Sequence, residues 1–296
     1  KFLITGVSGF VGEELVYFLQ NKPGYYILGI DKVKHIYSDK ITFEKCDLVL
    51  EKEKVDNIFD KFKPDVVIHC ASKILDTLNK NIVWKTNFHA TKDLIDISSK
   101  HKVKKFIFIS TFSIFQKNYD HPIDEKEKPS FKTLYGKTKY LSEQAILNSK
   151  FEGDICILRC PIILGKKRAY RFGVLFGMIK DNYNIPLIGK CNNTLSFVHV
   201  TDVCRAIEFF LNCNGKYIFN IAANESEEFQ FILNRLIKKV NSKSKLIHIN
   251  KFIGNLAFDI AIFFRCIPYT SYHKKIFNYS IILNTNKIKK ILNWEP

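Results

Sequence analysis

The sequence predicts an α/β fold: a doubly wound parallel sheet joined to a smaller, mostly helical C-terminal unit. Three observations carry that reading. Phe2 to Thr5 are strand-type and run straight into Gly6-x-x-Gly9-x-x-Gly12, with an amphipathic stretch, Glu13 to Gln20, behind them. Downstream, short apolar runs alternate with stretches of helical period, the pattern of successive strand–helix units. Runs such as Pro64-Asp-Val-Val-Ile-His-Cys-Ala71 lack polar alternation, as expected of strands covered on both faces.

The opening strand, turn and helix account for their glycines. A dinucleotide pyrophosphate needs backbone N–H groups at a helix N-terminus, where unpaired donors and the macrodipole both favour an anion. Gly6 permits the turn, Gly9 lets the backbone approach the phosphates, and Gly12 lets the helix lie close on the strand. The spacing is GxxGxxG rather than GxGxxG, but it stands between a strand and a helix, where the chemistry needs it.

Tyr25 to Ile30 reads as a second strand ending at Asp31. An acid there accepts hydrogen bonds from the adenosine ribose and repels a 2′-phosphate, so NAD is expected over NADP; the neighbouring cation Lys32 would tolerate that phosphate. Ile41 to Asp47 is a short strand, Lys52 to Phe62 a helix, and Pro64 to Ala71 a buried strand. Helix Asn87 to Lys100 precedes strand Lys105 to Ser110, and helix Tyr135 to Asn148 precedes strand Asp154 to Arg159. Gly165 to Thr194 is rich in glycine, lysine and asparagine and suits a substrate-facing excursion. Strand Ser196 to Val200, helix Asp202 to Leu211 and strand Lys216 to Ala222 restore the pattern. Residues 1–164, completed by about 196–222, therefore form a dinucleotide-binding domain, and 165–195 with 223–296 a substrate-binding one.

The formal charge of +17 invites a nucleic-acid partner, but the lysines are scattered in short groups such as Lys102/Lys104/Lys105 and Lys166/Lys167/Arg168. Solvated faces, with local help for a phosphate-bearing ligand, fit that scatter better than nucleic-acid binding. Eight cysteines, at 46, 70, 156, 160, 191, 204, 213 and 266, form no CxxC pair and fall largely in apolar runs, which suits a reducing cytoplasm. The strand that opens the chain leaves no signal-like segment in view. The most lipid-like stretch, Phe252 to Ile267, is too short to span a bilayer and contains Asp259 and Arg265; it reads as a buried or partner-facing helix, or as a peripheral membrane contact.

The catalytic candidates are Tyr135 and Lys139, which share one helix face four residues apart. A tyrosine with its ordinary pKa of about 10 is a poor base at neutral pH, and an adjacent ammonium lowers it. Ser110-Thr111, at the end of the preceding strand, places a hydroxyl for a substrate alcohol or carbonyl beside the tyrosine. His69 ends a buried strand and reads as a satisfied core histidine, His199 as packing rather than as a base, and no cluster indicates a metal site.

Together these residues resemble an extended short-chain dehydrogenase/reductase of the NAD-dependent epimerase/dehydratase family. The resemblance spans nearly the whole chain: Thr5-Gly6-x-x-Gly9-Phe10-x-Gly12, Asp31, Asp47-Leu48, His69-Cys-Ala-Ser72, Asn87, Ser110-Thr111, Tyr135-x-x-x-Lys139, Arg159-x-Pro161, Phe197-Val-His-Val-x-Asp202 and Leu292-Asn-Trp-Glu-Pro296. It implies a Rossmann-type domain, a homodimer, and a catalytic set of Thr111, Tyr135 and Lys139. It also implies cofactor contacts from Phe10, Val11, Asp31, Lys32, Asp47, Leu48, Cys70, Ala71, Ser72, Asn87, Pro161 and Ile163. Lys73, Ser113, Arg171 and Lys190 fall on the substrate side.

Departures narrow the reaction. Sugar 4,6-dehydratases follow the active-site Thr with Asp-Glu, whereas this chain has Phe112-Ser113. Nucleotide-sugar epimerases carry an Asn after the Arg-x-Pro-like segment and an Arg before the Phe-Val-His-Val-like strand; Ile162 or Ile163 and Leu195 stand there. Lys166, Lys167, Arg168, Arg171 and Lys190 remain as phosphate partners. The expectation is hydride chemistry at a secondary alcohol of a nucleotide sugar, by a 4-epimerase or reductase. A dehydrogenase of an apolar alcohol, similar to 3β-hydroxysteroid dehydrogenases and dihydroflavonol reductases, is the alternative enzyme, and an NAD-sensing binding protein the alternative of another class.

Overall fold

A computed structural model describes residues 1–35, 38–74, 79–166, 172–264 and 279–296. Seven parallel strands form the central sheet: β1 (Phe2–Thr5), β2 (Ile27–Asp31), β3 (Thr42–Lys45), β4 (Val66–His69), β5 (Lys105–Thr111), β6 (Asp154–Cys160) and β11 (Lys216–Asn220). Their order is β11-β6-β5-β4-β1-β2-β3. The chain winds outward in both directions from β1 and β4, so the loops leaving those two strands diverge and open a crevice at their C-terminal ends.

Alternate residues of the strands fill two hydrophobic layers. Leu3, Val67, Phe106, Phe108, Ile155 and Ile157 face helices α2 (Lys52–Phe62), α4 (Ala90–Lys100) and α5 (Leu134–Leu147). Ile4, Ile68, Ile107, Ile109, Cys156 and Leu158 face α1 (Phe10–Leu19) and α7 (Val200–Leu211). Ile288 and Leu292 of α10 (Asn286–Leu292) and the buried Trp294 close that second layer, the indole Nε1 donating to the Asp202 carbonyl at 3.1 Å.

The helix expected from Asn87 begins earlier. α3 (Lys80–Trp84) continues through a π turn, Lys85–His89, into α4. Strand β10 (Phe197–His199) lies outside the main sheet, pairing in parallel with β7 (Ile162–Leu164). β8 (Ile185–Ile188) pairs with β13 (Leu246–Ile249), and β9 (Thr194–Leu195) with β12 (Glu227–Glu228). A separate small core joins Ile179 of α6 (Phe172–Lys180), Ile185 and Leu187 of β8, and Phe229, Leu233 and Ile237 of α8 (Phe229–Lys239).

Of the readings open for the stretch from Phe252, the buried helix is corrected. In α9 (Lys251–Phe263) only Gly254 is buried, because a Cβ at that position would touch Ile188; Phe252, Ile253, Leu256, Ile260 and Phe263 are exposed. Among the described residues no helix is long and apolar enough to cross a membrane.

Candidate active site

Gly6 adopts φ +72°, and a Cβ there would lie 2.6 Å from the Ala71 nitrogen, so the loops after β1 and β4 meet at this one residue. A Cβ at Gly12 would collide with the Gly6 carbonyl, which fixes how close α1 sits to β1. Gly9 caps α1, leaving the first N–H groups of the helix, from Phe10, Val11 and Gly12, directed at the crevice. The Phe10 ring closes on Gly165, and Val11 packs on the adjoining core. This is a cradle that Cβ atoms would fill, and it suits a pyrophosphate.

Asp31 ends β2 beside it. One carboxylate oxygen accepts from the Ser8 N–H at 3.0 Å, the other from the Lys32 N–H at 2.7 Å. Ser8, unnoticed in the sequence, is the tie: its hydroxyl donates to the Val33 carbonyl and accepts from the His35 N–H at 3.2 Å. Lys32 turns away to pair with Asp47 at 2.8 Å, which leaves it committed to a carboxylate. Burial pushes the Asp47 carboxyl upward, but the Lys32 hydrogen bond and the Val49 N–H outweigh it, so the group sits below its ordinary value. Leu48 packs on the core beneath, and Cys70, its thiol pushed up to about 12 by burial, behaves as a small hydrophobe. Pro161 is buried and Ile163 packs on the core just after β6.

Across the crevice, Thr133 caps α5 by accepting from the Gly136 N–H at 3.1 Å. Gly136 has no room for a Cβ, which would strike the Ser113 carbonyl, so the first turn of α5 is drawn against the loop following β5. That loop carries Thr111, whose hydroxyl donates to the Ser113 hydroxyl at 3.0 Å and accepts from the Ser113 N–H at 3.1 Å. Tyr135 packs in the same cluster as Phe112, Ile114 and Phe115. One turn on, Lys139 is buried with Nζ 3.8 Å from the Phe108 ring centre. Burial brings its pKa down to about 7, against the opposing pull of Glu143. The structure thus brings Thr111, Ser113, Tyr135 and Lys139 to one end of the sheet.

Two polar networks hold these parts. Asn87 accepts from the Lys73 N–H at 2.8 Å and the Ser72 hydroxyl at 3.4 Å, and donates to the Lys73 carbonyl at 3.0 Å and to Thr138 of α5 at 3.2 Å. The π turn frees its own carbonyl to accept from Thr91 and Ser142. Thr91 in turn takes the His69 Nε2 proton at 2.9 Å, and His69 Nδ1 accepts from Thr5 at 2.7 Å, an assignment fixed because the Thr91 proton is already spent. His69 is therefore the satisfied core histidine expected, and burial lowers its pKa to about 3. Asn87 is a brace between the β4 loop and α5.

The second network was missed. Glu143, wholly buried, receives Arg159 Nε at 3.1 Å and Nη2 at 2.7 Å, together with the Ser110 hydroxyl. Its signal in the sequence was a carboxylate one helical turn beyond Lys139 on a helix otherwise packed with small and apolar residues.

On the substrate side, Leu195 is buried, so no cation reaches a phosphate from that position. Lys190 lies on the exposed turn after β8, outside the cluster around Tyr135. Lys167, Arg168 and Arg171, and Cys266, fall outside the described residues. A cleft lined by Leu164, Phe176, Phe197, Phe229, Glu225, Glu227 and Arg235 opens between β7, β10 and α8, with Arg235 paired to Glu227. His199 is exposed rather than packed and caps α7 through Thr201. Asp56, Asp60 and His101 gather ligand atoms within 4.8 Å, a cluster not singled out in the sequence, but Lys100 and His101 already hydrogen-bond the Asp56 carboxylate.

The model of the NAD dependent epimerase/dehydratase family matches residues 2–222. UDP-glucose 4-epimerase of Bacillus subtilis is 29% identical over 262 residues, covering 74% of this chain and 76% of that protein. Human dTDP-D-glucose 4,6-dehydratase is 25% identical over 270 residues, covering 83% and 76%. The structure of UDP-glucose 4-epimerase from Thermotoga maritima superposes with a TM-score of 0.82 at 21% identity, over 100% of this chain and 93% of that one. With the glycine cradle, the Asp31 tether and this match in hand, the chain belongs to the NAD dependent epimerase/dehydratase family.

Proposed function

We propose that the chain is an NAD-using nucleotide-sugar 4-epimerase. The observation that carries the reading is the pairing of a Tyr135/Lys139 helix end with Phe112 and Ser113 after Thr111. A dehydratase needs a carboxylic acid and a carboxylate there to eliminate water, and a buried phenylalanine and a serine supply neither.

The roles follow from position. The first turn of α1 holds the pyrophosphate, Asp31 the adenosine ribose, and Asp47, Leu48 and Cys70 to Ser72 flank the cofactor. Bound NAD supplies the hydride acceptor and donor. Tyr135 removes the C4 hydroxyl proton and later returns it; protonated Lys139 holds the phenolate form and the nicotinamide ribose. Thr111 orients the reacting oxygen through the Ser113 pair. On the substrate side the sequence offers Lys73, Lys190 and Arg171; Arg235 in its cleft is already paired with Glu227. A homodimer in a reducing cytoplasm belongs to the same reading.

Buried Leu195 favours one second reading, a dehydrogenase of an apolar alcohol. Incubation with UDP-glucose separates the two. Conversion to the C4 epimer without net nicotinamide reduction supports the epimerase, whereas stoichiometric reduction with a hydroxysteroid supports the dehydrogenase. Tyr135→Phe should lower kcat about a thousandfold with NAD still bound, and full turnover in that variant would sink the assignment.

A further inference from the structure

We propose that α9 is an in-plane anchor for an anionic lipid surface. Apart from Lys251, Asn255 and Asp259, which follow one another at four-residue spacing along one side, the helix is built of apolar residues and a glycine. Its inner side, at Gly254, rests on Ile188 of β8. Its outer side carries Phe252, Ile253, Leu256, Ile260 and Phe263 at helical spacing, with Phe252 78% and Phe263 79% exposed. Asp259 is exposed on the same helix. Thirteen residues give a length of about 20 Å, short of the roughly 30 Å hydrocarbon core, so the helix can lie along a bilayer but cannot cross it.

Charge selects the occupant. From Phe229 to Phe258 the sequence holds Arg235, Lys238, Lys239, Lys243, Lys245 and Lys251 and no Asp or Glu. All six are exposed, with Arg235 paired to Glu227 and the five lysines left to face an anionic surface. At the base of α9 the Lys251 stem lies 3.8 Å from a Cβ built on Gly189, next to the exposed Lys190, and His248 bonds the Gly189 carbonyl at 2.8 Å. A second copy of the chain would bring its own Lys190 and Lys251 to the base of this helix. An anionic bilayer offers hydrocarbon for the aromatic stripe and phosphate and carboxylate headgroups for the lysines.

The test is co-sedimentation of the whole chain with vesicles of phosphatidylcholine alone, and of phosphatidylcholine and phosphatidylserine in equal amounts. Binding should favour the serine-containing vesicles, weaken as salt rises, and fall about tenfold in a Phe252→Ser/Phe263→Ser variant whose turnover of a water-soluble substrate is unchanged. Equal sedimentation of wild type and variant would overturn the proposal. So would a dimer, indifferent to vesicles, that the double substitution splits into monomers.

Discussion

Replacing Lys139 with methionine should make the fold more stable while removing its catalytic use. Lys139 falls from 10.5 to about 7 because it is buried. At about 1.4 kcal/mol per tenfold, holding it in the core costs roughly 4 kcal/mol near neutral pH. Losing its contact with the Phe108 ring returns about 2 kcal/mol. Glu143 is not stranded, because Arg159 and Ser110 still satisfy it. The net expectation is a gain of about 2 kcal/mol, or roughly 4 °C in Tm for a chain of this size. The folded value lies below the unfolded one, so the cost is full below about pH 7 and fades as pH rises toward 10.5. Urea titrations of cofactor-free wild type and Lys139→Met at several pH values would read this directly. A variant less stable than wild type at neutral pH, with an unchanged denaturant slope, would refute the reasoning.

Other substitutions probe the cradle and its braces. Gly12→Ala places a Cβ on the Gly6 carbonyl and should abolish NAD retention through the wash steps of purification, read by absorbance. Glu143→Ala leaves the Arg159 guanidinium buried without its carboxylate and should cost about 3 kcal/mol in urea unfolding. Asp31→Ser removes the charge that opposes a 2′-phosphate and should shift the NADP to NAD affinity ratio about tenfold toward NADP in a fluorescence titration.

The sheet was legible because its strands are buried on both faces, and uninterrupted apolar runs such as Phe106 to Ile109 say so without any partner being known. Gly6, Gly9 and Gly12 were legible because each answers a local backbone demand. Other features depend on distant segments meeting. The Glu143–Arg159 pair joins a helix to a strand, and the π turn at Lys85–His89 leaves no mark in hydrophobic period because Asn87 is polar and buried alike. Which side of α9 is covered was open between a buried and a partner-facing reading, because its apolar residues occupy most of its circumference and do not say which of them meet the core.

Trp294 sets a condition on how the molecule is made. Its indole is locked under α7 through a bond to Asp202, 92 residues earlier in sequence. The layer it closes also contains Leu15, Val16 and Leu19 of α1. As the chain emerges from a ribosome, α1, β1 and their neighbours are synthesised long before the side chain that seals them. α1 and α7 cover most of that layer once residue 211 is made, and the patch under the indole stays open until residue 294. A chain cut short before Trp294 would carry that patch, beside α7, into solution.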